Sequence, residues 1–241
     1  MNLLPLAVPA ALAGIAAWGA AVPSSQLFGR TVVHRRSAKG EDCLEVALTF
    51  DDGPNPRCTP ALLDLLDRHE AKATFFLVGR FVRQHPELAR EVAARGHALG
   101  NHTQTHPNLF WKGTGRIARE LEECHRAIEE VCAVRPRLFR PPFGFRGPHL
   151  FPIVRRAGME VIMWSVMPRD WKMQPAEQIA ERLKKTRSGD IVLLHDGDHR
   201  RTNGDRMHTV NALALALPYF AERGWRCVTV SELGKKAGAR V

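Results

Sequence analysis

The sequence has little cysteine, and its five cysteines show none of the spacings that build metal fingers or redox pairs. No C-x-x-C pair occurs anywhere in the 241 residues. Cys124 and Cys132 fall on one predicted helix, about 12 Å apart along its axis, which is too far for a disulfide. We therefore interpret the cysteines as small apolar residues that do not indicate a redox compartment.

A concentrated basic segment is also missing, although the formal net charge is +10. Lysine and arginine are spread along the chain and are not massed with aromatic residues, and no nucleic-acid-binding motif occurs. The excess charge favours contact with anionic material such as lipid headgroups or acidic polymers. We expect no nucleic-acid partner, and the sequence leaves the oligomeric state open.

Charge is absent from residues 3–22, which are rich in alanine and leucine and are just long enough to span a bilayer. We predict a membrane anchor or a signal segment over residues 1–23, with small residues at Gly19 and Ala21 available for cleavage. Basic residues follow this run, so the positive-inside rule places the rest of the chain in the cytoplasm. Export to the cell envelope would require the opposite side, and the side of the membrane stays open.

From residue 45 onward, strand-like apolar runs alternate with helix-like stretches. The predicted strands are Val46–Phe50, Ala73–Val78, His97–Gly100, Arg137–Phe139, Glu160–Trp164, Ile191–Leu194 and Arg226–Val230. Glycines that are typical of helix C-caps precede several of these strands, at Gly96, Gly158, Gly189 and Gly224. This alternation predicts an α/β fold with a parallel sheet closed into a barrel, in which the loops after the strands carry the chemistry.

Two adjacent carboxylates, Asp51 and Asp52, end the first predicted strand, and Gly53-Pro54 stops that strand at once. Side chains alternate across a strand, so we expect the two acids to point in different directions and to take different tasks. One can bind a metal and the other can move a proton. An Asx turn with solvated carboxylates is the alternative.

Two histidines, His102 and His106, lie four residues apart after the third predicted strand. This spacing predicts that both rings lie on one side of a single turn, within reach of one ion. A solvated pair is the alternative, but the Asp-Asp turn at another strand end favours a metal. Two histidines and one carboxylate make a three-ligand site that leaves a position open for water, as in hydrolytic zinc sites.

Three further strand ends carry residues that suit chemistry. Arg140 can pair with a carboxylate, and Phe143 has the first free amide after two prolines. Asp170-Trp171 can supply an orienting acid and a pocket wall, and His195 is a candidate acid. The alternatives are a surface arginine, an exposed turn and a capped core histidine.

Taken in order, these motifs resemble the five motifs of the NodB-type polysaccharide deacetylases, carbohydrate esterase family four. The motifs are Thr49-Phe-Asp-Asp-Gly-Pro54, His102-x-x-x-His106, Arg140-Pro-Pro-Phe-Gly144, Asp170-Trp171 and Leu193-Leu-His195-Asp196. The resemblance covers about residues 45–234 and implies a single distorted (β/α) barrel of about seven parallel strands. The expected division of the chain is a hydrophobic segment, a linker, a catalytic domain and a basic tail, at residues 1–23, 24–44, 45–234 and 235–241.

The resemblance also implies a role for each motif residue. Asp51 is expected to be the general base and His195 the general acid, with Arg140 orienting the base and Asp170 raising the basicity of His195. One divalent metal is expected, with zinc preferred and cobalt, manganese or nickel as alternatives, and its implied ligands are Asp52, His102 and His106. The residues expected to contact the substrate are Phe143, Trp171 and Leu193.

These roles imply a metal-dependent hydrolase of linear amides that removes N-acetyl groups from a glycan containing N-acetylglucosamine, such as peptidoglycan or a chitin-like polysaccharide. Two alternatives stay open. A deacylase of a lipid-linked sugar or glycolipid at the membrane fits the hydrophobic N-terminus, and a non-catalytic glycan-binding relative would keep the barrel alone. Met167 stands where many relatives carry an acid, a departure that bears on substrate contacts.

Overall fold

The computed structural model describes residues 4–35 and 44–235, with side chains described from residue 11 onward. Its strands are β1 (Glu45–Asp51), β2 (Ala73–Leu77), β3 (Ala98–Asn101), β4 (Leu138–Phe139), β5 (Glu160–Val161), β6 (Ile191–His195) and β7 (Arg226–Cys227). All the strand pairs are parallel, in the order β5-β4-β3-β2-β1-β6, and β7 pairs with the beginning of β1. The predicted sheet of seven parallel strands is confirmed.

The sheet curls until its two edges approach each other. Beyond β5 the chain runs on to Val166, which forms a parallel bridge with Val192 of β6. The amide of Ser165 donates to the carbonyl oxygen of Ile191 at 3.0 Å, and the amide of Leu193 donates to that of Val166 at 2.9 Å. This curled parallel sheet is the distorted barrel that the sequence predicts.

Helices connect the strands and cover the outer face of the sheet, apart from α1, which precedes β1. They are α1 (Leu4–Ala21), α2 (Thr59–Arg68), α3 (Gly79–Gln84), α4 (Pro86–Ala94), α5 (Thr114–Cys132), α6 (Leu150–Arg156), α7 (Ala176–Leu183) and α8 (Met207–Glu222). Two single turns of 3-10 helix lie at Leu109–Trp111 and Pro142–Gly144. Three of the glycines predicted to end helices, Gly96, Gly158 and Gly224, directly follow the C-caps of α4, α6 and α8 and have positive φ, as a left-handed C-cap requires. Gly189 also has positive φ, but it lies beyond the end of α7, which is at Leu183.

Alternation along β1 decides which side chains face the interior of the barrel. The even-numbered residues from Val46 to Phe50 pack in the apolar cluster between the sheet and helices α2, α4 and α8. Ala47 points the other way and packs with Phe76 and Ile162 inside the curl. Thr49 and Asp51 have the same parity as Ala47, so the strand directs both polar side chains into the interior.

Residues 31–35 pack against the domain, although the sequence predicts a linker from residue 24. The amide of Val32 donates to the carbonyl oxygen of Val161 at 2.9 Å, and the carbonyl of Val32 accepts from the amide of Met163 at 2.8 Å. The amide of Arg35 donates to the carbonyl oxygen of Gly189 at 2.9 Å. Backbone groups make these contacts, so hydropathy patterning does not reveal them. Residues 36–43 of the predicted linker and residues 236–241 of the predicted tail lie outside the described residues.

Helix α1 occupies most of the predicted hydrophobic segment, of which residues 1–3 and the side chains of residues 4–10 lie outside the described part. Among the side chains that are described, Leu12, Ile15 and Trp18 are exposed. In the described part of the chain, no helix combines the length and the apolar character needed to cross a membrane. Anchor and cleaved signal therefore both stay predictions.

Arg146 fastens the end of α1 to the loop that follows β4. Its side chain is buried and donates hydrogen bonds to the carbonyl oxygens of Ala20, Val22 and Gly144. Burial lowers the pKa of Arg146 to about 10. The carbonyl groups at a helix C-terminus carry partial negative charge, so the end of α1 stabilises this buried guanidinium.

Arg146→Met is expected to destabilise the fold by about 2–4 kcal/mol, because it leaves buried carbonyl groups without their donor. For a chain of this length, the loss corresponds to a fall in Tm of roughly 5–15 °C. Thermal unfolding followed by circular dichroism measures the change, and Arg156→Met, at an exposed arginine of α6, is the matched control. An unchanged Tm for Arg146→Met would show that these hydrogen bonds contribute nothing to stability.

Candidate active site

The carboxyl ends of the strands form one rim of the barrel, where a cavity of about 450 Å³ opens. Most of the sequence-predicted site residues line this cavity, namely Asp51, Asp52, His102, His106, Phe143, Trp171, Leu193 and His195. The remaining two, Arg140 and Asp170, are fully buried and contact Asp51 and His195 from behind. The structure therefore brings together every residue that the motifs single out.

Asp51 and Asp52 both point toward the cavity. Asp51 keeps the inward direction of β1, and Asp52 then leaves the strand with φ at 72°. Asp51 Oδ2 and Asp52 Oδ1 lie 3.7 Å and 3.6 Å from Nε2 of His102. The expectation that the two neighbouring acids point apart is wrong, because alternation holds only while the backbone stays extended.

Asp52, His102 and His106 bring three ligand atoms within 4.8 Å of one another. Nε2 of His106 lies 3.2 Å from Asp52 Oδ1. Nδ1 of His102 lies 2.8 Å from the carbonyl oxygen of Arg140, so a proton on Nδ1 leaves Nε2 with its lone pair toward the carboxylates. Metal-binding histidines are commonly held by such a hydrogen bond from the other ring nitrogen.

The burial and charge of this triad fit a divalent cation. Asp52, His102 and His106 are buried, and Asp52 Oδ1 has no hydrogen-bond partner among the described residues. Burial alone raises the pKa of Asp52, but the nearby His199 and His106 hold it well below its ordinary value. Burial lowers the pKa of His106 to about 3. At neutral pH the site thus offers an ionised carboxylate and a neutral imidazole, which are donors that zinc and similar ions accept.

The loop that carries the two histidines is bent and is not a regular helical turn. Thr103 and His106 have φ of 68° and 58°. Asn101 holds the bend, because its Oδ1 accepts from the amide of Thr103 at 2.9 Å and its Nδ2 donates to the carbonyl oxygen of Leu121 at 2.8 Å. The centres of the two imidazole rings are 4.8 Å apart. The predicted proximity of the rings is confirmed, and the loop achieves it without helical geometry.

Arg140 orients Asp51 from the interior of the barrel. Its Nη1 donates to Asp51 Oδ1 at 2.8 Å and to Thr49 Oγ1 at 2.7 Å. Its other nitrogens donate to two backbone carbonyls, and the guanidinium lies 4.2 Å from the centre of the Phe76 ring. These contacts fix the carboxylate with Oδ1 engaged and Oδ2 toward the triad.

Asp170 orients His195, as Arg140 orients Asp51. Asp170 Oδ1 lies 2.9 Å from Nδ1 of His195, and Asp170 Oδ2 accepts from the His195 amide at 2.7 Å. Burial alone lowers the pKa of His195, but the Asp170 carboxylate outweighs burial and the pKa rises to about 9. His195 therefore carries a proton at neutral pH, with Nε2 as the ring nitrogen left free. Asp51 and His195 are register partners on neighbouring strands, so the two groups share one cavity.

Apolar side chains surround this polar centre. Phe143, at φ 58° in the Pro142–Gly144 turn, packs edge-on against His106 with ring centres 4.6 Å apart. Trp171 packs edge-on against His195 at 5.8 Å. Leu193, Trp164 and Met167 also line the cavity. A polar centre walled by aromatic and aliphatic groups suits a small substrate group with both a carbonyl and a methyl.

Sequence reasoning missed the residues that hydrogen-bond to Asp170 on the side away from the cavity. Thr209 Oγ1 donates to Asp170 Oδ2 at 3.0 Å, and Nε2 of His208 donates to the Asp170 carbonyl oxygen at 2.5 Å. Both residues lie at the start of α8, where the helical pattern marks only the apolar face. The inward direction of Thr49 could have been predicted, since it is a polar residue within a strand and lies two positions before Asp51 on the same face.

Comparison with known proteins agrees with the motifs. The sequence profile of the polysaccharide deacetylase family matches residues 38–162. A peptidoglycan-N-acetylglucosamine deacetylase from Bacillus cereus is 41% identical over 191 residues, which cover 78% of this chain and 87% of that protein. A chitooligosaccharide deacetylase from Bradyrhizobium sp. is 40% identical over 196 residues, covering 78% and 90%. The solved structure of peptidoglycan deacetylase PdaC from Bacillus subtilis has a TM-score of 0.72 and 31% identity, covering 79% of this chain and 90% of that one.

In the metal-free protein, Asp170→Asn is expected to reduce stability mainly at low pH. Protonated His195 contributes on the order of 3 kcal/mol, because its pKa rises from the model-compound value of 6.5 to about 9 on folding. This contribution is complete below the unfolded pKa and is lost as the pH rises through the folded pKa. Urea unfolding at about pH 6, 8 and 10 should therefore show a gap between wild type and variant that narrows with rising pH.

Glu181→Gln, at an exposed carboxylate of α7, is the control for removing one acid without touching His195. The hydrogen bonds that Asp170 accepts from the His195 amide and the Thr209 hydroxyl are also weakened in the variant, so some gap should persist at high pH. A gap of constant size across the whole range would contradict the assigned ion pair.

Proposed function

The chain belongs to the polysaccharide deacetylase family, and from that membership we propose that it removes N-acetyl groups from a glycan containing N-acetylglucosamine. It is a hydrolase of amide bonds. The observation that carries the proposal is the convergence on one cavity of Asp51, His195 and the triad of Asp52, His102 and His106. This set contains the base, the acid and the three metal ligands that the family resemblance implies, which disfavours a purely glycan-binding role.

Asp52, His102 and His106 would hold the divalent cation, and zinc is the ion that we propose for this set of one oxygen and two nitrogen donors. Cobalt, manganese and nickel are the alternatives. When bound, the cation supplies Lewis-acid polarisation of the amide carbonyl. The chain's own residues supply the proton transfers and the positioning.

Asp51 acts as the general base through Oδ2, because Arg140 already engages Oδ1. Asp51 takes one proton from the attacking water as the oxygen bonds to the carbonyl carbon. The Phe143 amide, the first after two prolines, donates to the oxygen that gains negative charge. Arg140 prevents the carboxylate from rotating away during this step.

His195 acts as the general acid. Its raised pKa keeps it protonated at neutral pH, and Nε2 delivers that proton to the amine nitrogen as the carbon–nitrogen bond breaks. Asp170 holds the ring through Nδ1 and stabilises the charged imidazole until the transfer. The products are acetate and the free amine of the sugar. Trp171 and Leu193 wall the space that we assign to the acetyl methyl group.

Asp51→Asn is expected to lower acetate release from N-acetylglucosamine oligomers at least 100-fold, within the range of about 10²–10⁴ for removing a general base. His102→Ala is expected to lower it strongly as well, because it removes one of the three groups that would hold the cation. Wild type should lose activity on chelation and regain it when zinc is restored. Enzymatic detection of acetate measures both effects. The controls are Asp64→Asn on α2 and His69→Ala after α2, which lie outside the cavity.

Wild-type activity in folded Asp51→Asn or His102→Ala would contradict this proposal. Full activity of the wild type after exhaustive chelation would contradict the metal requirement alone.

A deacylase of a lipid-linked sugar or glycolipid is a second candidate, because α1 exposes the apolar side chains Leu12, Ile15 and Trp18. Together with the uncharged run over residues 3–22, this face supports membrane association and a place in the cell envelope. Both candidates use the same catalytic centre. They differ in the group attached to the sugar.

Acetate release should be compared between soluble N-acetylglucosamine oligomers and a lipid-linked N-acetylglucosamine presented in vesicles. The leading proposal predicts the larger kcat/KM for the soluble oligomers. A reversed order, lost in a Leu12→Asp, Ile15→Asp double variant but kept in an Asp64→Asn control, would favour the lipid-linked substrate.

A further inference from the structure

The loop between β6 and α8 carries a histidine that the deacetylation mechanism does not use. His199 reaches across the cavity and contacts residues that follow three other strands. Its Nδ1 lies 3.7 Å from Asp52 Oδ2, and its ring stacks on His106 with ring centres 4.4 Å apart and planes 24° apart. The edge of the Phe143 ring lies against it at 5.2 Å.

The two carboxylate oxygens of Asp52 have different surroundings. Oδ1 lies near Nε2 of both His102 and His106, at 3.6 Å and 3.2 Å, whereas Oδ2 lies near His199. His199 is outside the set of donors that converge on one point, which consists of Asp52, His102 and His106. Oδ1 is therefore the oxygen directed at a cation, and Oδ2 is the oxygen that faces His199.

The backbone of the loop is anchored on several sides, so the place of His199 is built into the fold. Arg80 donates from its guanidinium to the carbonyl oxygen of His199. Nδ2 of Asn55 donates to the carbonyl oxygen of Gly204 at 2.7 Å, and Nε of Arg206 donates to that of Gly197 at 2.7 Å. A side chain on a loop held in this way can fix the orientation of its partner.

We propose that His199 is a positioning residue for the metal centre. Its Nδ1 faces Oδ2 of Asp52 at 3.7 Å, a polar contact longer than a direct hydrogen bond, and its ring covers His106, so that Asp52 presents Oδ1 to the cation. Partners of metal-binding carboxylates commonly change metal affinity 10- to 100-fold when they are removed. This inference rests on the metal site of the proposed function and adds a residue to it that the family motifs do not contain.

Two substitutions separate the polar contact of Nδ1 with Asp52 from the ring contact with His106. His199→Phe keeps an aromatic ring against His106 and removes the N–H donor. His199→Asn removes the ring and places an amide N–H near the position of Nδ1. We expect zinc to bind His199→Phe about 10- to 100-fold more weakly than wild type, and to bind His199→Asn nearly as well as wild type.

Zinc affinity is measured on the full chain by competition with a chromophoric chelator, which needs no substrate. His69→Phe, at a half-buried histidine outside the cavity, is the matched control and should leave the affinity unchanged. The visible spectrum of the cobalt-loaded proteins reports the ligands directly. It should be the same in wild type, His199→Phe and His199→Asn, because His199 is not a ligand in this proposal.

Wild-type zinc affinity in His199→Phe would overturn the inference. Weak binding by His199→Asn together with normal binding by His199→Phe would also overturn it, since the ring contact alone would then matter. A cobalt spectrum that changes in both variants would instead make His199 a direct ligand. Zinc binding and acetate release by the wild type are measured separately. A wild type that binds zinc but releases no acetate would contradict the proposed reaction and leave the role of His199 to be judged from the zinc affinities alone.

Discussion

The active site depends on one buried charge, the guanidinium of Arg140 in the interior of the barrel. A buried cation is tolerated only when its donors are all engaged, because desolvation otherwise exceeds the electrostatic gain. Here Asp51, Thr49 and two backbone carbonyls accept from it, and Phe76 lies under its face. These contacts join β4, β1 and the chain beyond β5, so the same hydrogen bonds that satisfy the charge fix the carboxylate.

Two ion pairs, Arg140–Asp51 and His195–Asp170, lie side by side at the rim of the barrel, and each functional group keeps its own partner. Asp51 is held by a guanidinium and His195 by a carboxylate, and each pair occupies its own buried pocket behind the cavity wall. The Asp170 carboxylate keeps the His195 imidazole protonated at neutral pH, while the Arg140 guanidinium fixes the direction of the Asp51 carboxylate. Environments that separate the protonation states of neighbouring groups are how one site performs both base and acid catalysis.

The sequence predicted the seven strands and every motif residue of the cavity, because parallel strands bring their carboxyl ends to one rim and each motif follows a strand. It did not predict the direction of Asp52, since alternation says nothing about a residue that leaves the strand at positive φ. Thr209 and His208 were missed because polar residues on the first turn of a helix look like ordinary solvent-facing positions. The packing of residues 31–35 was missed because their backbone hydrogen bonds to Val161, Met163 and Gly189 leave no mark in the hydropathy pattern.

The Arg146 contact links the end of α1 to the loop that carries Phe143. Ala20 is buried and its carbonyl accepts from Arg146, whereas the neighbouring Ala21 is exposed. Because Arg146 also binds the carbonyl of Gly144, beside Phe143, a mechanical pull on α1 would be transmitted to the edge of the cavity.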